Sequence, residues 1–148
     1  MNEEMVRPVE ILLVEDNPGD IQLAKEALED CKMINKLHVT DDGEKALNFL
    51  FKKDGYESAP KPDLILLDIN LPKVDGREVL TKIKEDEKLK LIPVVILTSS
   101  KADEDILKMY ELHANCYITK PINIDRFFEV VKAIEAFWMG IVVLPGEK

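Results

Sequence analysis

Val9-Glu10-Ile11-Leu12-Leu13-Val14-Glu15-Asp16-Asn17-Pro18-Gly19-Asp20 passes within a few positions from a nearly continuous apolar run, through two adjacent acids, into a helix start. Such a run has almost no polar alternation, which is what a strand covered on both faces of a parallel sheet requires. Asn17 is suited to cap the helix that follows and Pro18 to its first turn, while Asp20 suits the positive end of the helix dipole. Ile21, Ala24, Leu28 and Cys31 continue at helical spacing, so the first helix is expected over about residues 18 to 31.

The same grammar recurs downstream. Asp63-Leu64-Ile65-Leu66-Leu67 runs into Asp68, Pro93-Val94-Val95-Ile96-Leu97 into Thr98, and Cys116-Tyr117-Ile118 ends just before Lys120-Pro121. Lys36-Leu37-His38-Val39-Thr40 reads as a second strand. Helical patterns separate the runs at Asp42 to Lys53, Gly76 to Asp86, Lys101 to His113 and Ile124 to about Gly140, and Asp54 to Pro62 reads as a loop. Five strand-then-helix units with right-handed crossovers predict an α/β fold: a doubly wound (βα)5, flavodoxin-like three-layer sandwich with a parallel sheet in the order 2-1-3-4-5. In such a sheet ligands bind beyond the carboxyl ends of the strands at the switch point, here between the strands ending at Glu15-Asp16 and at Asp68.

Bulk properties narrow the function. A chain of 148 residues suits a single domain, with a core over about 8–140 and an apolar tail over 139–148. A net charge of −9, from 29 acids against 20 bases with no clustered basic stripe, argues against direct nucleic-acid binding. No leader pattern and no membrane-length apolar run is seen, and only Cys31 and Cys116 occur, so a reduced cytoplasm is the expected home. Both cysteines are expected to behave as small buried hydrophobes.

Glu15, Asp16 and Asp68 would gather up to three negative charges, which a proton or cation must compensate. A hard divalent cation such as Mg²⁺ suits all-oxygen ligands, whereas zinc has no Cys/His spacing to use, His38 and His113 lying elsewhere. Taken alone, Glu15-Asp16 would read as a solvated strand end. Asp68 could be a turn cap or a nucleophile toward phosphorus, and Thr98 a strand-closing residue or a hydroxyl for a phosphoryl oxygen. Lys120 could be a surface lysine or a point charge for phosphate, its direction set by the bond to Pro121. Tyr117 is either a half-buried strand residue or a side chain that moves when the site fills.

Glu15-Asp16, Asp68, Thr98 and Lys120-Pro121, in this order on the first, third, fourth and fifth strands, resemble the receiver domain of two-component response regulators over nearly the whole chain. The resemblance implies that Asp68 accepts a phosphoryl group from a phosphohistidine on a sensor histidine kinase or phosphotransfer protein, or from a small donor such as acetyl phosphate. It implies Mg²⁺ on Asp16, Asp68 and the Asn70 carbonyl, with Glu15 holding a metal-bound water. Lys120 would bridge Asp68 and the phosphate, and Thr98 would couple the phosphate to Tyr117, switching the face of helix 4, strand 5 and helix 5. Such a protein is a phosphoacceptor rather than an enzyme with free substrates, acting only on its own phosphorylation and dephosphorylation.

No effector domain follows, so a stand-alone receiver with an unknown downstream protein partner is expected. The loop over Lys52 to Pro62, the stretch Asn115 to Pro121 and the ending Phe137 to Pro145 look like the small response regulators paired with bacterial phytochromes. Ile124, Phe127, Val131, Ile134 and Trp138 form a core stripe on the last helix, and the surplus Phe128, Phe137 and tail predict a homodimer through helix 4, strand 5, helix 5 and the tail. Two other readings are weaker. A metal-dependent phosphatase of the aspartyl-phosphate type would resemble Asp-x-Asp after the first strand, where this chain has Asp68-Ile69-Asn70 after the third, and a nucleotide-binding module would need a Gly-rich loop that Glu15 to Gly19 lacks.

Overall fold

The structure, a computed structural model, describes residues 8–30, 34–98, 116–120 and, in the last helix, 125–127, 129, 130, 132 and 133; at 116, 117 and 119 it describes the backbone alone. Strand β1 (Val9–Val14) leads into helix α1 (Pro18–Glu29), β2 (Asn35–Thr40) into α2 (Gly43–Phe51), and β3 (Leu64–Asp68) into α3 (Gly76–Glu85). A 3₁₀ turn at Leu89–Leu91 precedes β4 (Val94–Thr98), and β5 (Cys116–Thr119) completes the described strands. All neighbours are parallel and the order is β2-β1-β3-β4-β5, as the sequence predicts. The expected helix over 101–113, the side chain of Tyr117, Pro121, Cys31 and the tail lie outside the described residues.

The apolar runs are continuous because alternate residues serve two different layers. Ile11, Leu13, Leu64, Leu66, Val95 and Leu97 face α1 and the last helix, where Ala24, Ala27, Phe127 and Val130 are buried with them. Leu12, Val14, Ile65, Leu67, Val94 and Ile96 face α2 and α3, packing with Ala46, Phe49, Val79, Leu80 and Ile83. Every residue of β3 and β4 is buried, which fixes their register, since a shift by one would exchange the two faces. Val130 joins this core although the expected stripe on the last helix passes over it. No helix among the described residues is long and apolar enough to cross a membrane.

Helix ends depart slightly from expectation, each for a local reason. Asn17 caps α1 as predicted, its Oδ1 accepting from Asp20 N at 3.0 Å, but the helix ends at Glu29 rather than 31. α2 starts behind Asp42, whose Oδ1 accepts from Lys45 N at 2.7 Å, and stops at Phe51 rather than Lys53 because Lys52 turns left-handed at φ 59°. α3 ends one residue early, at Glu85, and Asp86 turns out of the helix to accept from Lys88 N and Leu89 N, both at 2.9 Å. The loop at 54–62 is pinned: Tyr56 lies 5.6 Å from Phe49 ring to ring, Ala59 packs on the same core, and Pro62 is buried.

Candidate functional site

Parallel strands of similar length end together, so the residues that close β1, β3 and β4 meet at one edge. Glu15 follows β1 with its backbone N–H on Thr40 O at 3.0 Å, and its side chain is fully buried. Asp68 closes the central β3 and is also buried, whereas Asp16 next to Glu15 is exposed. A carboxylate oxygen from each of Glu15, Asp16 and Asp68 lies within 4.8 Å of the others. All of these donors are hard oxygens, which fits Mg²⁺ or Mn²⁺ and not zinc. His38 is engaged elsewhere, with Nε2 2.7 Å from Glu10 Oε1.

Lys120 enters this group from the end of β5. Its backbone N–H donates to Thr98 O at 2.7 Å, a tie that sets where the side chain begins. Its Nζ donates to Asp68 Oδ2 and Glu15 Oε2, both at 2.9 Å, and stands 2.8 Å from Glu15 Oε1, straddling that carboxylate. Asp20, from the first turn of α1, adds an Oδ2 at 3.1 Å from the same ammonium. The other oxygen of Asp68 accepts from Asn70 N at 3.0 Å. Thr98 is buried, one residue past the register partner of Asp68.

Burial sets the electrostatics. Desolvation pushes the Glu15 carboxyl up to about 7; the hydrogen bond from Lys120 opposes this and the charge of Asp68 adds to it. For Lys120 burial pulls the other way, disfavouring the ammonium, but hydrogen bonds to Glu15 and Asp68 outweigh it and hold the ammonium above its ordinary value. The cluster is therefore an acid pocket with one internal cation. Among the three clustered acids, Asp16 is the exposed one.

The loop after Asp68 is shaped by two glycines. A Cβ on Gly76 would run into the carbonyl of Asp68 and the backbone of Ile69, and Gly76 N donates to Ile69 O at 3.1 Å. A Cβ on Gly43 would collide with the carbonyl of Val74, so α2 leans directly on the same loop. Lys73, in that loop, turns left-handed at φ 67°.

Glu15, Asp16, Asp68, Thr98 and Lys120 are thus brought to one edge, with Asn70 beside Asp68. Asp20 was missed as a member of the site. Its position in a first helical turn is fully accounted for by the helix dipole, and only a preference of Lys120 for a third acid would have marked it.

A site of buried acids and a lysine at the carboxyl edge of a β2-β1-β3-β4-β5 sheet is that of a receiver, and the chain belongs to the response regulator receiver domain family, whose model matches residues 11–132. Among its relatives, response regulator Rcp1 of Synechocystis sp. is 48% identical over 146 residues, covering 99% of each chain. The crystal structure of the Mn²⁺-bound form of Rcp1 superposes with a TM-score of 0.78 at 49% identity, covering 88% of this chain and 94% of that one. The phosphorylated cyanobacterial phytochrome response regulator RcpA superposes with a TM-score of 0.79 at 49% identity, covering 90% and 95%. The chain is therefore a signalling receiver of the two-component type, similar to phytochrome-associated response regulators.

Proposed function

We propose that Asp68 is the phosphoryl acceptor of a phosphorelay. The observation that carries this reading is the ammonium of Lys120 at 2.9 Å from a buried Asp68 carboxylate, with Glu15 and Asp16 completing an acid cluster open on one side. A carboxylate oxygen of Asp68 attacks the phosphorus of a phosphohistidine; the P–O bond forms as the P–N bond breaks, and the imidazole leaves with the electron pair and takes up a proton. Lys120 stays on Asp68 and meets the charge arriving on the phosphoryl oxygens, and Thr98, at the end of β4, donates its hydroxyl to one of them.

Mg²⁺ is the metal best suited to the donor set, held by Asp16, Asp68 and the Asn70 carbonyl, with Glu15 acting through water; when bound it neutralises the phosphoryl oxygens. The phosphorylated state of RcpA and the Mn²⁺ of Rcp1 support this for a chain so similar. The chain accelerates only its own phosphorylation and hydrolysis. Its donor is a sensor histidine kinase of the phytochrome kind or a phosphotransfer protein, and it works in the cytoplasm.

Output follows from a new group carrying about −1.5 to −2 charges beside Thr98, coupled through Tyr117 to the face of helix 4, β5 and the last helix. That face and the tail at 139–148 form a homodimer, a reading supported by the apolar surplus at Phe137 to Leu144 and tested by sedimentation with and without the tail. We read the chain as one receiver domain.

Incubation with acetyl phosphate and Mg²⁺ tests the central step. One acid-labile phosphate per chain, absent from Asp68→Asn, is expected. Turnover of many phosphomonoesters would favour a phosphatase instead.

A further inference from the structure

Asp20 is bound at both ends of its residue. Its backbone N–H is held by Asn17 Oδ1 at 3.0 Å, which fixes the first turn of α1, and its side chain, 15% exposed, lies with Oδ2 3.1 Å from Lys120 Nζ. An ammonium has three N–H donors and no more. Three carboxylates surround this one: Glu15, Asp68 and Asp20. Its hydrogen bonds go to Glu15 and Asp68, and Asp20 is held beside it by charge, so a phosphoryl group arriving on Asp68 competes with Asp20 for the same ammonium.

The three anions differ in what release costs. The side chains of Glu15 and Asp68 are 0% and 4% exposed, so parting from the ammonium would leave them desolvated and unpaired. Asp20 has the longest contact and the most access to water, and it can be rehydrated when it lets go. It is the anion that yields.

We propose that Asp20 is an internal competitor of the phosphoryl group for Lys120, a positioning residue that holds the ammonium in the unphosphorylated chain and sets how tightly the site takes a phosphoryl group. The inference rests on Asp68 as the acceptor. Two effects of neutralising Asp20 have the same sign: the ammonium loses a competing anion at 3.1 Å, and one negative charge is removed from the approach of an incoming one. Loss of Asp20 therefore strengthens phosphoryl binding, opposite to the loss of a metal ligand or of the acceptor.

The test uses the full chain with saturating Mg²⁺, titrated with beryllium fluoride as a tetrahedral phosphoryl mimic and followed by calorimetry. Asp20→Asn should bind the mimic about three- to fivefold more tightly than wild type, the range expected for a partly exposed ion pair. Asp20→Glu, which keeps the carboxylate, should stay near wild type. A purely structural role would lower the melting temperature of Asp20→Asn without tightening the mimic. Unchanged or weaker binding by a folded Asp20→Asn overturns the proposal. Asp68→Asn serves as the control: its failure to bind the mimic keeps the acceptor in place whatever Asp20 does, and wild-type binding by it would remove the acceptor itself.

Discussion

Asp68 and Lys120 stand 52 positions apart in the sequence and 2.9 Å apart in the fold, oxygen to ammonium. That contact ties the central strand to the end of β5 and neutralises an acid that is nearly sealed from water. Lys120→Ala would leave Glu15 and Asp68 facing each other without their cation. It should cost about 2 to 4 kcal/mol of unfolding free energy, since breaking a buried pair strands its partner. Urea denaturation in EDTA measures this, and saturating Mg²⁺ should recover part of the loss. A variant as stable as wild type would mean that the pair contributes nothing to folding.

Glu15 gives the protein stripped of metal a particular pH dependence. Its carboxyl is raised from 4.5 to about 7 in the fold, with burial as the leading cause. A group raised in the folded state contributes stability fully below its unfolded value, and this is lost as pH climbs through the folded one. Between pH 5 and 8 wild type should therefore lose up to about 3 kcal/mol relative to Glu15→Gln. Denaturation midpoints of both proteins across that range test it, and a difference that does not change with pH would contradict the burial argument.

Asp16 is exposed, unlike its neighbour, so its charge adds little repulsion to the fold. Asp16→Asn should leave the unfolding free energy in EDTA within the range of ordinary surface changes, about 0.5 kcal/mol either way. It should remove most of the rise that Mg²⁺ produces, because a directly bound ligand is gone. Thermal melts with and without Mg²⁺ separate the two effects, and an undiminished rise would take Asp16 out of the metal site.

Gly76→Ala is expected to destabilise the fold by about 1 to 3 kcal/mol, the usual cost of forcing atoms into packed backbone. The added methyl would strike the carbonyl of Asp68 itself, so phosphate uptake from acetyl phosphate should fall as well. A stable, normally phosphorylated Gly76→Ala would show that the α3 start can retreat from the site.

The sheet was legible because its strands are covered on both sides. Ile11 to Val14 and Leu64 to Leu67 carry no polar interruption, and the acids that follow them lie at the switch point by topology alone. Features that depend on the closed fold were not legible. Asp20 looks like a helix-start acid until β5 brings Lys120 to it, and Tyr56 looks like a loop residue until its ring meets Phe49. Lys52 ends α2 in a left-handed turn where no glycine or asparagine announces the stop.

The seven residues between Asp68 and Gly76 are gripped at both ends and pressed from the side by Gly43 on Val74. Their number is consequently as constrained as their identity. Inserting or deleting a residue there would carry α3 off the sheet or drag α2 with it, whereas the stretch from Asp54 to Lys61, mostly facing solvent and fastened chiefly through Tyr56 and Ala59, can change length between those anchors. Chains descended from a common ancestor with this one should therefore accumulate their gaps after the second helix and almost none after the third strand.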